Sequence, residues 1–330
     1  MSPKLSVIVP VYGVEKYIER CARSLFDQTL DHVEYIFVDD CTPDRSIELL
    51  QGVIDSHRDR FVALSWSVVI ERMPHNSGQA AVRRHALQLA TGEYVIHCDS
   101  DDWVERDMFR LMYEKAQGEE ADIVVCDYRV SDGEHVIRSM RGCPDAQLPD
   151  LKRRFIGDLL CQRYAWSVWN KLFRRTACYG DHFTFPKEPM GEDLVIVVQC
   201  LLNGGKMVYL PQTLYNYFYN PQSISHANSE DKLMSNYRQF KTNADTVMAL
   251  FSQRGLDADY AEGLFLLKWY AKKGLWALPY NRQRRRLWLD TYSEINAKVL
   301  FCKNISLREK AKFLLALAGL FPPRKQPGSQ

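Results

Sequence analysis

Three carboxylates fall within four positions at Asp99, Asp101 and Asp102, directly after the β-prone run Tyr94–Cys98. An apolar, β-branched run of this kind sits inside a sheet. Ending it in acids packs negative charge at the strand's C-terminal edge, where open α/β sheets bind ligands. Carboxylates this close repel, so a compensating cation is expected. A divalent ion with oxygen ligands fits, and a diphosphate can complete its shell. The bland alternative is a solvated turn, since Asp and Ser are ordinary turn residues. Two more acidic pairs invite the same question. Asp39–Asp40 ends the run Tyr35–Val38, and Glu192–Asp193 precedes Leu194, Val197, Val198 and Leu201. The second pair could simply stabilise a helix start.

The elements that must position these acids alternate. Leu5–Pro10 is a short strand stopped by proline, and Val14, Ile18, Cys21, Ala22 and Leu25 predict a helix from about Val14 to Phe26. Tyr35–Val38 is a second strand. Thr42 is the expected N-cap of the next helix, with Pro43 at its first position. A third strand lies within 62–70, the loop Pro74–Gly78 leads to a helix from Gln79 to Ala90, and Tyr94–Cys98 is the fourth strand. A helix from about Glu105 to Gln117 stops at Gly118, and Ile123–Cys126 is another strand. Such alternation predicts a parallel, doubly wound sheet. Its C-terminal edge gathers the carboxylates at 39, 40, 99, 101 and 102.

Composition agrees with a folded, two-domain chain: 330 residues, 46% apolar and 25% charged. The net charge is only +2, but residues 251–330 hold 15 Lys and Arg against 6 Asp and Glu. That asymmetry predicts an anionic surface or ligand for the C-terminal part. Nine cysteines, an odd number with no CxxC pair, read as reduced thiols of a cytosolic protein. Met1–Lys4 leads straight into a strand, so no signal peptide is expected, and no apolar run reaches transmembrane length.

These residues together resemble the family 2 glycosyltransferases, inverting nucleotide-sugar transferases of the GT-A fold. The matching pieces are Ser6–Tyr12, Val38–Asp39–Asp40, Asn76–Ser77–Gly78 with Arg83, and Ala90–Tyr94 running into Asp99–Asp102. Trp169–Phe173 and Gly191–Leu194 follow in order, so the resemblance spans roughly residues 4–225. It implies a Rossmann-like, mostly parallel sheet flanked by helices. Residues 1–225 would form the catalytic domain, with a nucleotide-binding half (1–130) and an acceptor half (131–225). Residues 226–330 lie beyond the resemblance; their charge and helical pattern read as a basic, helical region, with membrane association as one of two readings.

The resemblance also implies roles. Pro10, Val11 and Tyr12 line the base and ribose. Asp39 or Asp40 hydrogen-bonds the base, Asp40 being preferred. Asn76, Arg83 and Ser100 join the nucleotide-sugar site. Asp99 and Asp101 hold ribose and the metal-bound diphosphate, with Asp102 as a third metal candidate. Asp193 is the general base, with Glu192 as neighbour or rival. The implied cofactor is Mg²⁺ or Mn²⁺, the donor a UDP-sugar, and the acceptor a glycan or lipid-linked glycan. The expected location is the cytoplasm, peripheral to the inner face of the membrane. Cys41–Thr42, Gly13, Arg84 and Ala86 depart from the family pattern near the nucleotide, which leaves base and sugar open.

The chemistry has its own logic. A nucleoside diphosphate leaves readily only if its developing charge is neutralised, which a divalent cation does. The acceptor hydroxyl must lose a proton as it attacks, which a carboxylate on the opposite face does. One acidic cluster and a second acid about a sugar's width away are therefore expected. A non-catalytic nucleotide-sugar or glycan-binding protein of the same fold is the alternative. A dehydrogenase is excluded because no GxGxxG follows the first strand. A nucleotidyltransferase would not need the second acidic centre. His97 is expected in the core, and His75 and His226 in exposed loops. Trp166 and Trp169 are core aromatics or a sugar platform. The run Arg282–Arg286 and the amphipathic segment Leu307–Phe321 are a solvated face or rest on anionic headgroups. No nucleic-acid partner is expected, because no RNA-binding motif accompanies the basic residues.

Overall fold

The computed structural model describes residues 2–144, 150–186, 188–219, 229–278 and 281–320. The chain divides into two compact units, residues 1–221 and 222–330.

In the first unit the elements run β1 (Leu5–Val11), α1 (Ile18–Phe26), β2 (Val33–Asp39), α2 (Ser46–Ser56), α3 (Arg58–Ala63), β3 (Ser67–Arg72), α4 (Gln79–Leu89), β4 (Tyr94–His97) and β5 (Trp103–Val104). They continue with α5 (Met108–Gly118), β6 (Ile123–Ser131), β7 (Val136–Met140), α6 (Leu151–Leu160), β8 (Lys171–Arg174), α7 (Arg175–Cys178), α8 (Glu192–Asn203) and β9 (Met207–Phe218). Among the described residues one sheet has the order β3-β2-β1-β4-β8-β6-β9-β5, with β7 on β6. All seven residues of β2 and all four of β4 are buried, which is why these strands are mostly apolar rather than alternating.

The parallel arrangement read from the first 130 residues holds for β3, β2, β1 and β4. Beyond β4 the sheet is mixed. Antiparallel β8, from the Trp169–Phe173 motif, inserts between β4 and β6, and β6 then pairs in parallel with β9. Leu172 and Phe173 are fully buried, so this short segment gains most by pairing on both edges.

Two helices start later than their sequence signals. Thr42 and Asp44 bond to each other (2.7 Å), and Asp44 takes the amide and hydroxyl of Ser46, so α2 begins at Ser46. The same turn accepts the amides of Gly13, Val14 and Glu15, which holds that segment out of α1 until Ile18. Local side-chain bonds of this kind compete with the helix for backbone groups.

The second unit is helical, as its sequence suggested: α9 (Glu230–Gln253), α10 (Ala261–Gly274), α11 (Arg282–Asp290), α12 (Asn296–Val299) and α13 (Leu307–Leu317). Trp269, Trp288 and Phe313 form its buried aromatic centre. Lys272 is fully buried, and its ammonium donates to the carbonyls of Trp288 and Thr291. Ser306 and Glu309 form a capping box at the start of α13. No described helix is long and apolar enough to cross a membrane.

Candidate functional site

The parallel register puts Val11 opposite Asp39, and the amide of Cys98 bonds to Ile8 O, so β1, β2 and β4 end on one edge. Asp39, Asp40, Asp99 and Asp101 meet the chain there. The acids of β2 are already engaged. Asp40 Oδ1 and Oδ2 accept the amides of Ser77 (2.7 Å) and Gly78 (2.9 Å), tying down the loop before α4. Asp39 Oδ1 accepts the amide of Thr42, and its Oδ2 faces the exposed Arg72 guanidinium at 3.5 Å. Both oxygens of Asp40, the acid that the sequence preferred for the base, are thus on backbone amides. The outer oxygen of Asp39 faces an exposed surface arginine.

Arg83 lies on α4, one turn beyond Gln79, and joins the two acidic centres. Its Nη2 donates to Asp99 Oδ1 (2.8 Å), and its Nη1 to Glu192 Oε1 (2.6 Å) and Asp193 Oδ1 (2.5 Å). Gln79 Nε2 adds a bond to Asp99 (3.1 Å). The sequence placed the second acid a sugar's width from the first; here both acids touch one guanidinium. Glu192 and Asp193 are delivered by the N-terminus of α8, whose preceding residue, Gly191, adopts φ 82°. A side chain would strain that left-handed turn.

Exposure sorts these groups. The side chains of Arg83 and Glu192 are 2% and 4% exposed, while those of Asp99 and Asp193 keep 24% and 26%. Burial works against the Arg83 charge, but Asp193, Glu192 and Asp99 outweigh it and raise its pKa. One cation cannot neutralise three carboxylates. Burial, against the pull of Arg83 and aided by the Asp193 charge, pushes Glu192 up to about 8. Its Oε2 is buried with no hydrogen-bond partner among the described residues.

Asp101 is pushed up to about 6 by burial and by the charge of Asp99. A carboxylate destabilised in this way fits a divalent cation. No group of three or more His, Cys, Asp or Glu side chains is assembled to hold an ion among the described residues. Asp101 with Asp99 would therefore supply only part of a shell, as is usual where substrate phosphates and water complete it. Asp102, the third metal candidate, is set apart from Asp99 and Asp101 by its surroundings. It is fully buried, Oδ2 accepts the Tyr215 hydroxyl (2.6 Å), and Oδ1 accepts the amide of Phe218 (2.7 Å). It fastens the acidic loop to β9. Arg20 supports the same loop: its guanidinium sits 4.0 Å from the Trp103 ring centroid and donates to Asp101 O (2.7 Å).

The remaining residues separate as follows. Tyr12 is well exposed at the edge and Pro10 is half-buried, whereas Val11 points into the core and reaches the edge only through its backbone. Asn76 is exposed in the loop before α4, and Ser100 is buried within the acidic turn. His97 is a core residue bonded to the Tyr179 hydroxyl (3.1 Å), and burial holds its pKa well below the usual value. Trp169 stacks on Tyr215 with centroids 4.3 Å apart and is buried, the core alternative for that residue. His75 is exposed, and His226 lies outside the described residues.

Sequence reasoning did not find Tyr215, whose hydroxyl also accepts the amide of Asp99 (3.1 Å), or Glu34. Buried Glu34 accepts the amides of Thr91 and Gly92, and so fixes the turn that launches β4. An acid inside an otherwise apolar strand was the available signal for Glu34. Tyr215, in a tyrosine-rich strand 113 residues from Asp102, offered none.

A family model described as Glycosyl transferase family 2 matches residues 6–179. Glycosyltransferase GlyG of Streptococcus pneumoniae serotype 4 is 32% identical over 224 residues, 66% of this chain and 71% of its own. The poly(ribitol-phosphate) beta-glucosyltransferase of Bacillus spizizenii is 29% identical over 220 residues, 66% of this chain and 32% of its own. The chain spans from 31% to 69% of the length of several such relatives. The fold is similar to that of S. aureus TarS 1–349 in complex with UDP-GlcNAc, with a TM-score of 0.68 and 20% identity over 96% of this chain and 88% of that one. It is also similar to the mannosyltransferase PcManGT of Pyrobaculum calidifontis in complex with GDP-Man and Mn²⁺, with a TM-score of 0.54 and 16% identity over 97% and 86% of the two chains.

Proposed function

Because the chain belongs to glycosyl transferase family 2 and is a glycosyltransferase of GT-A fold, we propose that it moves a hexose from a UDP-sugar to a hydroxyl of a glycan or lipid-linked glycan, with inversion. The observation that carries this reading is the pair of partly open carboxylates, Asp99 and Asp193, set against the closed Arg83 guanidinium. Membership of an enzyme family sets aside the binding-only alternative. Similarity to the poly(ribitol-phosphate) beta-glucosyltransferase and to TarS bound to UDP-GlcNAc supports the acceptor and donor classes.

In this reading Asp39 takes the base through its outer oxygen, and Tyr12 lies over the nucleoside. Asp99 and Asp101 face the ribose and diphosphate, and they would hold a Mg²⁺ or Mn²⁺ ion. When bound, that ion supplies neutralisation of the leaving diphosphate. Asp193 is the general base: it accepts the acceptor hydroxyl's proton while the new C1–O bond forms and the bond to the diphosphate breaks. Glu192 is closed and its pKa is raised by burial, which favours the more open Asp193 as the base. Arg83 orients Asp193 and holds it in register with Asp99. The free thiols of all nine cysteines support a reducing, cytoplasmic compartment.

The test pairs Asp193→Asn with Glu192→Gln in a UDP-sugar transfer assay, with UDP binding followed calorimetrically. Asp193→Asn should lower kcat by roughly 10²–10⁴-fold at unchanged UDP affinity, and Glu192→Gln by much less. Full turnover by Asp193→Asn would remove the base assignment.

A further inference from the structure

Helix α13 is apolar on two opposite faces. The inner face packs Phe313, whose ring lies 5.9 Å from Trp269 and 5.5 Å from Trp288, together with buried Ala316. The outer face carries Leu307, Ala311, Leu314, Leu315 and Ala318, all exposed. At 100° per residue these five fall in one stripe, bordered by Arg308 on one side and Lys310 on the other. Leu307 is 83% exposed and Leu314 51%, and Phe301, just before the helix, is 84% exposed. The exposed stripe opposite the buried face is apolar surface that the helix's own core does not cover, the mark of an interaction site.

The charge around this stripe has one sign. Between residues 296 and 320 the bases are Lys298, Lys303, Arg308, Lys310 and Lys312, and the sole acid is Glu309. Glu309 is already taken by Lys273 (2.8 Å) and the Ser306 cap. Arg285 donates to Leu317 O (2.7 Å), which brings α11, with its exposed Arg282 and Arg286, against the end of α13. We propose that the outer face of α13, with Phe301, docks on an anionic lipid bilayer. An apolar stripe flanked by cations matches the headgroup–acyl boundary, where leucines enter the chains and bases meet the phosphates. A soluble polyanion would have no use for the leucines. A second copy of the chain would bring five bases against five. Eleven residues span only about 16 Å, so the helix lies in the interface and does not cross it. The inference does not rest on the catalytic reading, although such docking would place the enzyme beside a lipid-linked acceptor.

The test is cosedimentation of the full chain, without donor, with phosphatidylglycerol–phosphatidylcholine (1:1) vesicles and with pure phosphatidylcholine vesicles. The parent should sediment with the anionic vesicles alone. The double variant Leu314→Glu/Leu315→Glu, and separately Arg308→Glu, should bind roughly tenfold or more weakly. Val62→Glu, which adds an acid at a position 83% exposed on α3, should bind like the parent. The proposal falls if the parent ignores anionic vesicles, if both α13 variants bind unchanged, or if Val62→Glu weakens binding equally. It also falls if the parent forms a dimer in sedimentation velocity that the leucine variant abolishes, since the face would then be a protein interface. None of these outcomes touches the transfer assay.

Discussion

Replacing Arg83 with Gln isolates the joint of the proposed site. The amide is neutral and shorter, and cannot bond three carboxylates at once. The substitution removes contacts of 2.6 Å to Glu192, 2.5 Å to Asp193 and 2.8 Å to Asp99. Removing one partner of a buried ion pair costs about 3–5 kcal/mol, mostly because the other charge is left uncompensated. Part of that cost can be relieved by protonation, since Glu192 is already pushed up to about 8. A carboxyl whose pKa is raised on folding binds more protons folded than unfolded, so its contribution to stability falls as pH rises from the unfolded value toward the folded one. Without the guanidinium this rise is larger. The variant should therefore lose least stability at about pH 5 and most near pH 9, read by urea denaturation at both pH values. In transfer assays at pH 7, kcat should fall by roughly 10²-fold through misplacement of Asp193, with a smaller change in donor KM. Parallel stability–pH curves for parent and variant would refute the electrostatic argument. A lost UDP affinity with kcat intact would put Arg83 on the nucleotide instead, its role in the sequence resemblance.

Two further substitutions separate chemistry from scaffold. Asp101→Asn should leave the melting temperature nearly unchanged and abolish stimulation of transfer by Mn²⁺. Asp102→Asn should cost about 1–3 kcal/mol by presenting a donor to the Tyr215 hydroxyl or the Phe218 amide. The opposite pattern would return Asp102 to the metal. Gly92→Ala places a Cβ 2.6 Å from Ser6 N and 2.8 Å from Leu5 C, both backbone atoms that cannot give way cheaply. The denaturation midpoint should drop by the equivalent of about 1–3 kcal/mol or more; an unchanged midpoint would show that the turn between α4 and β4 is not tightly packed on β1.

Much of the architecture was legible because it rests on local patterns. The apolar runs at 5–10, 35–38 and 94–98 read directly as buried strands, and the acids after them fell on one sheet edge because parallel strands share a direction. Less legible was everything set by partners distant in sequence. The late start of α1 comes from side chains about thirty residues away, which take the amides of Gly13, Val14 and Glu15. The insertion of β8 between β4 and β6 depends on which edge a four-residue segment can reach.

The sequence by itself determined the acids, their places at strand and helix ends, and the basic, amphipathic character of α13. Each follows from residue type and period. Only the tertiary structure decided what each acid does. It gave Asp40 to loop amides and Asp102 to Tyr215 and Phe218, closed Glu192, and left Asp99 and Asp193 partly open on one guanidinium. Carboxylates are alike in sequence; burial and the partners of each oxygen distinguish them, and those are set by packing between segments up to 116 residues apart.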